Sequence, residues 1–306
     1  MLSTNLPRPS FAPRNWGGWL SILPFVILGR LPRRMGLWLV SPIGPLAFRF
    51  AHRRREIARQ NLARCFPEWS EEKQLRVLRA SFDSIARMIV ETAWCWSGPL
   101  KQSLGLGRVH GMEGLVAAEQ RGKGVLLVTG HSTCLEMGAR IIAHNRDAGG
   151  VYRPLKSPVM EWYQNHGRLR YVDFMVSKRS AKGAVRSLRA GRLLWYAPDQ
   201  DFGSQQSAFA PFFGIQTASL IATHRLPRMT GCAVVFMYPV YNQEDDKYDI
   251  HLSPALENYP SEDPVADLTR INSMIEEQVR KAPEQYWWIH RRFKTRPEGE
   301  KPFYEG

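Results

Sequence analysis

The sequence predicts an α/β fold: a central mixed or mostly parallel sheet flanked by helices, preceded by an N-terminal helical membrane anchor. Three features predict it. From Val125 onward, short strand-like runs alternate with helical ones. Val125–Val128 is apolar at every position, as expected of a strand covered on both faces. Ahead of them lie two uncharged apolar pieces carrying Trp, with arginines between and after. At 306 residues, 44% of them apolar, the chain can bury one large core and still carry an accessory segment. The division expected is 1–50 for the anchoring segment and 51–306 for the α/β domain.

The apolar pieces are residues 15–29 and 35–48, separated by Arg30-Leu-Pro-Arg-Arg34. Each falls short of the roughly 20 residues that a spanning helix needs. Pro24, Pro42 and Pro45 are expected to break any long helix there. No small-residue cleavage site follows, which argues against a signal peptide. The pieces suit an anchor that is tilted or lies at the interface, with the basic block from Arg49 to Arg59 facing the cytoplasm. A buried helical hairpin is the plainer alternative.

Further along, Phe66-Pro-Glu-Trp-Ser70 is a turn, and Ser70 caps a helix with Glu71 and Glu72 in its first turn. Leu75, Leu78, Phe82, Ile85 and Ile89 form its core stripe, and Gly98-Pro99 ends it. Another helix begins after Thr133. Then come a strand at 150–153, a helix at 158–167, a basic helix at 181–190 and an apolar strand at 193–197. Pro198 opens a loop. A helix is expected over 217–229, distorted near its end by Pro227. Strands at 232–238, closed by Pro239, and 248–252 precede a last helix at 265–279.

Lys and Arg number 42 against 28 Asp and Glu, a net charge of +14 that favours anionic partners: nucleic acid, anionic lipid or an acidic carrier protein. Aromatics stand beside arginines, as in Tyr286-Trp-Trp-Ile-His-Arg-Arg-Phe293, which suits a membrane interface as well as a nucleic acid. Cys65, Cys95, Cys134 and Cys232 are too scattered for a zinc site or a secreted disulfide scaffold, so reduced thiols facing the cytosol are expected. Neither a Walker sequence nor G-x-G-x-x-G is present, so nucleotide binding has no support.

The sharpest candidate site is Gly130-His131-Ser-Thr-Cys-Leu-Glu136, directly after the Val125–Val128 strand. Gly130 permits a sharp turn at the strand end. On one continuous helix, His131 and Glu136 would point roughly 140° apart. With the histidine at the strand end and the acid in the early helix, the two can meet. A carboxylate on one imidazole nitrogen fixes the tautomer and leaves the other as a base. An ordinary histidine in a turn is the bland alternative. Cys134 is expected to be a small buried thiol rather than a nucleophile. Asp199 and Asp201 also follow an apolar strand, where they could tune a base, orient a cation or cap a loop; two acids alone are a weak metal signal. Arg153 and Arg168 could grip phosphate or carboxylate, or simply be solvated. Arg168, Arg170, Lys178, Arg179, Lys182, Arg186, Arg189 and Arg192 together suggest an anion-facing surface.

The His131–Glu136 pair resembles the H-x4-(D/E) signature of glycerolipid acyltransferases. Longer segments are more specific: Asn61-Leu-Ala-Arg-Cys-Phe-Pro-Glu68, Val151-Tyr-Arg-Pro154, Gly167-Arg-Leu-Arg170, Trp195-Tyr-Ala-Pro-Asp-Gln-Asp201, Pro211-Phe-Phe-Gly214, Arg228-Met-Thr-Gly231 and the stretch from Ala282 to Gly299. Together they resemble the lipid A late acyltransferases of Gram-negative bacteria, over nearly the whole chain. The resemblance implies a glycerolipid-acyltransferase-like fold and an inner-membrane enzyme working on the cytoplasmic face. It implies transfer of an acyl chain, lauroyl first among the candidates, from acyl carrier protein to a hydroxyl of a hydroxyacyl chain on the lipid A precursor. It implies His131 and Glu136 as the catalytic pair, with Glu136 holding the imidazole. Arg168 and Asp199 would be supporting or substrate-binding residues, and Arg153 lies in another shared block. Asp199 would position Arg168 or another basic residue. No cofactor, metal or nucleic acid is expected; the carrier thioester is a co-substrate. Ser132, where a bulkier residue is usual, and Pro227, inside a helix, depart from the pattern. The alternatives are another membrane-lipid acceptor, or a non-enzymatic basic protein bound to the membrane surface.

Overall fold

The protein is described by a computed structural model over residues 6–304, so the outermost residues of the expected 1–50 and 51–306 segments lie outside the described residues. Helices α1 (Trp16–Arg30), α2 (Arg33–Val40), α3 (Ile43–Phe50) and α4 (His52–Cys65) all pack on the long α5 (Glu71–Ser97). The Ser70 hydroxyl accepts from the Lys73 amide at 3.3 Å, which starts α5 where the capping pattern places it. After α6 (Leu100–Leu104) come β1 (Gly107–His110), α7 (Met112–Glu119), β2 (Val125–Val128), α8 (Leu135–Ala143), β3 (Ala148–Tyr152), α9 (Pro158–Arg168), β4 (Phe174–Ser177), α10 (Ala181–Arg189) and β5 (Leu193–Tyr196). The chain ends with a hairpin of β6 (Ser207–Phe212) and β7 (Ile215–Leu220), then α11 (Ala222–Thr230), β8 (Ala233–Asn242), β9 (Lys247–Leu252), α12 (Pro264–Lys281) and a C-terminal tail.

Seven strands form the main sheet in the order β1-β9-β8-β2-β5-β3-β4. Only β8 and β9 run antiparallel. The sheet is therefore mostly parallel, and its catalytic candidates gather at one edge. Strand β2 lies between β5 and β8 with helices over both faces, which is why all four of its residues are apolar and buried. One core joins α8, α9 and α1 on one face; the other joins α10, α11, α12 and α4 on the opposite face.

Two expectations near the C-terminal half need correction. Residues 217–229 are not one helix: 217–220 complete β7 and the helix starts at Ala222. The hairpin turn falls at Phe213-Gly214, both with positive φ, and residues 215–220 pair with β6 in antiparallel register. Pro227 sits inside α11 without ending it. Pro239 does not close β8 either. Pairing of β8 with β2 stops at Phe236, so only β9 flanks Pro239, where a missing amide is tolerated.

The expected N-terminal membrane anchor is not a spanning helix. Among the described residues, no helix is long and apolar enough to cross a membrane. The segment is instead three short helices held tightly to α5 by glycines. A Cβ at Gly29 would lie 2.6 Å from the Ala93 carbonyl oxygen, one at Gly36 3.0 Å from Val90, and one at Gly44 2.3 Å from Asp83. That close seating fixes which sides face outward. Trp16, Leu20, Leu23 and Ile27 of α1, Met35, Trp38 and Leu39 of α2, and Ile43, Leu46 and Phe50 of α3 are all exposed, between 40% and 73%. Pro24 is accommodated within α1.

Gly130 is needed for space rather than for a turn, because its φ is not left-handed. A Cβ there would lie 2.9 Å from Ile275 Cγ2, 3.3 Å from Tyr238 and 3.5 Å from Asp199 Oδ2. Gly130→Ala is expected to destabilise the fold by about 1–3 kcal/mol through overpacking. Because the clash with Ile275 falls on the residue next to His131, activity should fall more than the loss of folded protein explains. Chemical denaturation and activity of the folded fraction, measured together, check this.

Candidate active site

The parallel register builds the site. Val128 of β2 pairs with Tyr196 of β5. Counting three residues past each gives His131 and Asp199, which follow the ends of two adjacent strands. The His131 amide donates to Asp199 Oδ2 at 2.8 Å, and His131 Nδ1 bonds Asp199 Oδ1. Both oxygens of one carboxylate thus hold one residue, backbone and ring. The Asp199 side chain is 1% exposed, whereas the His131 side chain is 24% exposed. Burial alone would raise the Asp199 carboxyl, but the adjacent His131 brings it down to about 2. An anionic Asp199 fixes Nδ1 as the protonated nitrogen and leaves Nε2 as the base.

Glu136 is not the imidazole's partner. Nε of Arg168 donates to Glu136 Oε1 at 3.0 Å, and its Nη2 donates to the same oxygen. Oε2 accepts from the Tyr171 hydroxyl at 2.6 Å and from the Trp96 indole at 3.1 Å. Both carboxylate oxygens are therefore occupied, and no described hydrogen bond joins Glu136 to His131. Burial would raise the Glu136 carboxyl; Arg168 and the two other donors outweigh it and hold it below the ordinary value. Arg168, the last residue of α9, is mostly buried in this pair and does not lie open on a surface.

The partners of Glu136 are themselves fixed. Arg140 of α8 and Arg170 cap the last carbonyls of α5, with Arg140 Nη1 2.8 Å from the Trp94 oxygen and Arg170 Nη1 2.8 Å from the Trp96 oxygen. That places Trp96 against Glu136. Arg170 and Arg192, which pairs with Asp147 at 2.9 Å, thus leave the expected anion-facing surface. Trp96, Tyr171 and Arg140 carry no motif of their own in the sequence.

The C-terminal tail closes the other side of His131. The Trp287 amide donates to the His131 carbonyl at 3.1 Å, and Ser132 bridges Tyr286. Ser132 is buried, and its hydroxyl donates to the Pro239 carbonyl at 3.4 Å. Asn61 of α4 ties the tail down by donating to the carbonyls of Trp288 at 2.7 Å and His290 at 2.9 Å. His131 and Asp199 line a recess with Gln200, Phe212, Tyr286 and His290. Burial, and then the charge of His131, hold His290 down to about 4, so it is neutral and its Nε2 accepts from the Asp201 amide.

The remaining candidates separate cleanly. Asp201 holds the Thr295 amide at 2.6 Å and the Gly203 amide at 2.9 Å, a loop-fixing role. Among the described residues, no three His, Cys, Asp or Glu side chains converge as metal ligands. Cys134 is fully buried, its thiol pushed up to about 12 by burial, and it donates to Gln285. Arg153 is exposed at the end of β3, on the same sheet edge but two strands from His131.

A histidine base held by a buried carboxylate, at the C-terminal edge of a mostly parallel α/β sheet, suits activation of a hydroxyl for group transfer. A family model described as bacterial lipid A biosynthesis acyltransferase matches residues 8–295, and the chain belongs to that family of acyltransferases. It is 37% identical to the lipid A biosynthesis lauroyltransferase of Escherichia coli K12, over 97% of this chain and 98% of that protein. It is 36% identical to the palmitoleoyltransferase of the same organism, over 97% of both, and 33% identical to a lipid A biosynthesis acyltransferase of Haemophilus influenzae, over 99% of both.

Proposed function

We propose that this enzyme transfers a lauroyl chain from acyl carrier protein to a hydroxyl of a hydroxyacyl chain on the lipid A precursor. The observation that carries this reading is the His131–Asp199 pair, with the imidazole partly exposed and no described hydrogen bond on its Nε2. His131 Nε2 takes the proton of the acceptor hydroxyl as that oxygen attacks the thioester carbonyl. Asp199 stabilises the imidazolium that forms, as the acid does in a hydrolase triad. Collapse of the tetrahedral adduct breaks the C–S bond, and the imidazolium returns its proton to the departing thiolate. An ester and a free carrier thiol result, and the base is regenerated. Glu136 acts at one remove, by fixing Arg168, Tyr171 and Trp96 beside the site.

The acceptor is a membrane lipid, and the exposed apolar stripes of α1, α2 and α3 support an enzyme that sits on the bilayer with these helices in the interface. Exposed Arg30, Arg34, Arg49 and Arg53 flank them and suit anionic headgroups, in keeping with the cytoplasmic face of the inner membrane. Incubating the enzyme with lauroyl-carrier thioester and tetra-acylated precursor should give a product heavier by one lauroyl ester in the mass spectrum. An ester formed only on another lipid would replace the acceptor, and a different mass gain would replace the lauroyl chain.

A further inference from the structure

Between Asp173 and Asp199 the sequence has no acidic residue, yet it has Lys178, Arg179, Lys182, Arg186, Arg189 and Arg192. The structure divides these cations. Arg192 pairs with Asp147, and Arg189 donates to the Met229 carbonyl at 3.0 Å. Lys178, Arg179, Lys182 and Arg186 are exposed, as is Arg153, and none has an acidic partner among the described ion pairs.

These five side chains form a continuous ridge. Tyr152 pairs with Ser177, so Arg153 and Lys178, the next residues, stand side by side at the catalytic edge of the sheet. Lys178 Nζ lies 4.7 Å from the Phe202 ring, in the loop that carries Asp199. Partial burial, and then the charges of Arg153 and Arg179, hold the Lys178 ammonium below the usual lysine value. Lys182 and Arg186 continue the ridge along one face of α10, about 6 Å apart along its axis.

The ridge also has a side. Ala184 and Leu188 of α10 bury into the core shared with α11 and α12, whereas α1 packs on α9 at the opposite sheet face. The cations therefore start at the catalytic edge and run along the side opposite the apolar stripe of α1. Exposed Arg30, Arg34, Arg49 and Arg53 already flank the apolar helices, where lipid phosphates would lie. The ridge is a separate set of cations, and an extended row of like charges fits a helix with acids at matching spacing better than it fits one phosphate.

We propose that Arg153, Lys178, Arg179, Lys182 and Arg186 form the docking surface for the acidic carrier protein that delivers the acyl thioester. The inference rests on the acyl-transfer reading above. The test is the full-length double variant Lys182→Glu/Arg186→Glu, two positions that do not touch His131 or Asp199. Binding of lauroyl-acyl carrier protein is titrated directly, and transfer is followed with donor and acceptor varied separately, and with a small lauroyl-pantetheine thioester as donor. The variant should raise Kd and KM for the carrier by about tenfold or more, with acceptor KM within about twofold. Transfer from the small thioester should match wild type, which also shows that the variant is folded. Unchanged carrier Kd overturns the proposal, as does a rise in glycolipid KM alone, which would make the ridge a lipid-phosphate site. Wild type that binds no carrier protein removes the proposal outright. Equal use of the carrier by wild type and variant removes the docking surface and leaves the acyl-transfer reading standing.

Discussion

Replacing His131 by alanine is expected to lower acyl transfer by about 10³-fold or more, while the protein stays folded. Among the described residues, His131 is the one histidine at the sheet edge with a carboxylate on its Nδ1, a partly exposed ring and no described hydrogen bond on Nε2. A lipid hydroxyl is a poor nucleophile until its proton is removed in the transition state, and no other group in the recess is placed to remove it. His290 is neutral but its Nε2 already accepts from the Asp201 amide. Cys134 is buried and protonated. The alanine variant keeps the backbone bond from residue 131 to Asp199, so it should still fold, with an unfolding midpoint lowered by the loss of the imidazole beside the buried carboxylate. Transfer at the wild-type rate from a well-folded variant would place the base elsewhere.

The second large effect is on stability. Arg168→Ala leaves Glu136 buried with only Tyr171 and Trp96 as partners, and breaking such a pair costs about 3–5 kcal/mol. The sign with pH follows from the direction of the shift. Folded Glu136 is held below its ordinary value of 4.5, so its contribution is complete above that value and is lost as pH falls through the lower, folded one. Without Arg168, burial dominates and the carboxyl rises. The variant should therefore lose stability already at neutral pH, and regain part of the difference from wild type as acid protonates Glu136. Thermal unfolding between about pH 7 and pH 3 reads this directly. A constant gap across that range would mean the pair contributes by packing and not by charge.

Much of the fold was legible because it depends on local chemistry. Ser70 caps α5, Val125–Val128 is uniformly apolar, and α12 shows its stripe at helical spacing. The failures have physical reasons. Residues 217–220 carry a pattern that suits helix or strand, and the choice is made by pairing with β6, a long-range fact. The N-terminal helices read by composition as a segment apart from the α/β domain, whereas Gly29, Gly36 and Gly44 seat them on α5 with their apolar sides outward. Spacing in the sequence drew Glu136 to His131, while the parallel register of β2 and β5 brings Asp199 there from 68 residues away. Both acids were visible as candidates; which one meets the imidazole depends on strand order, which spacing does not encode. The fixing of Trp96 by arginines from α8 and the α9–β4 turn was equally invisible, since none of those residues is unusual in its own neighbourhood.

The pairing of His131 with Asp199 is tested most directly by kcat for transfer from lauroyl-acyl carrier protein in Asp199→Asn, beside Glu136→Gln, with thermal unfolding of each. An asparagine keeps the shape but cannot stabilise the imidazolium, so kcat should fall by about 10²-fold or more with both KM values nearly unchanged. Glu136→Gln should change stability and KM more than kcat. A near wild-type kcat in folded Asp199→Asn, with transfer abolished in folded Glu136→Gln, would contradict the pairing and return the imidazole to Glu136.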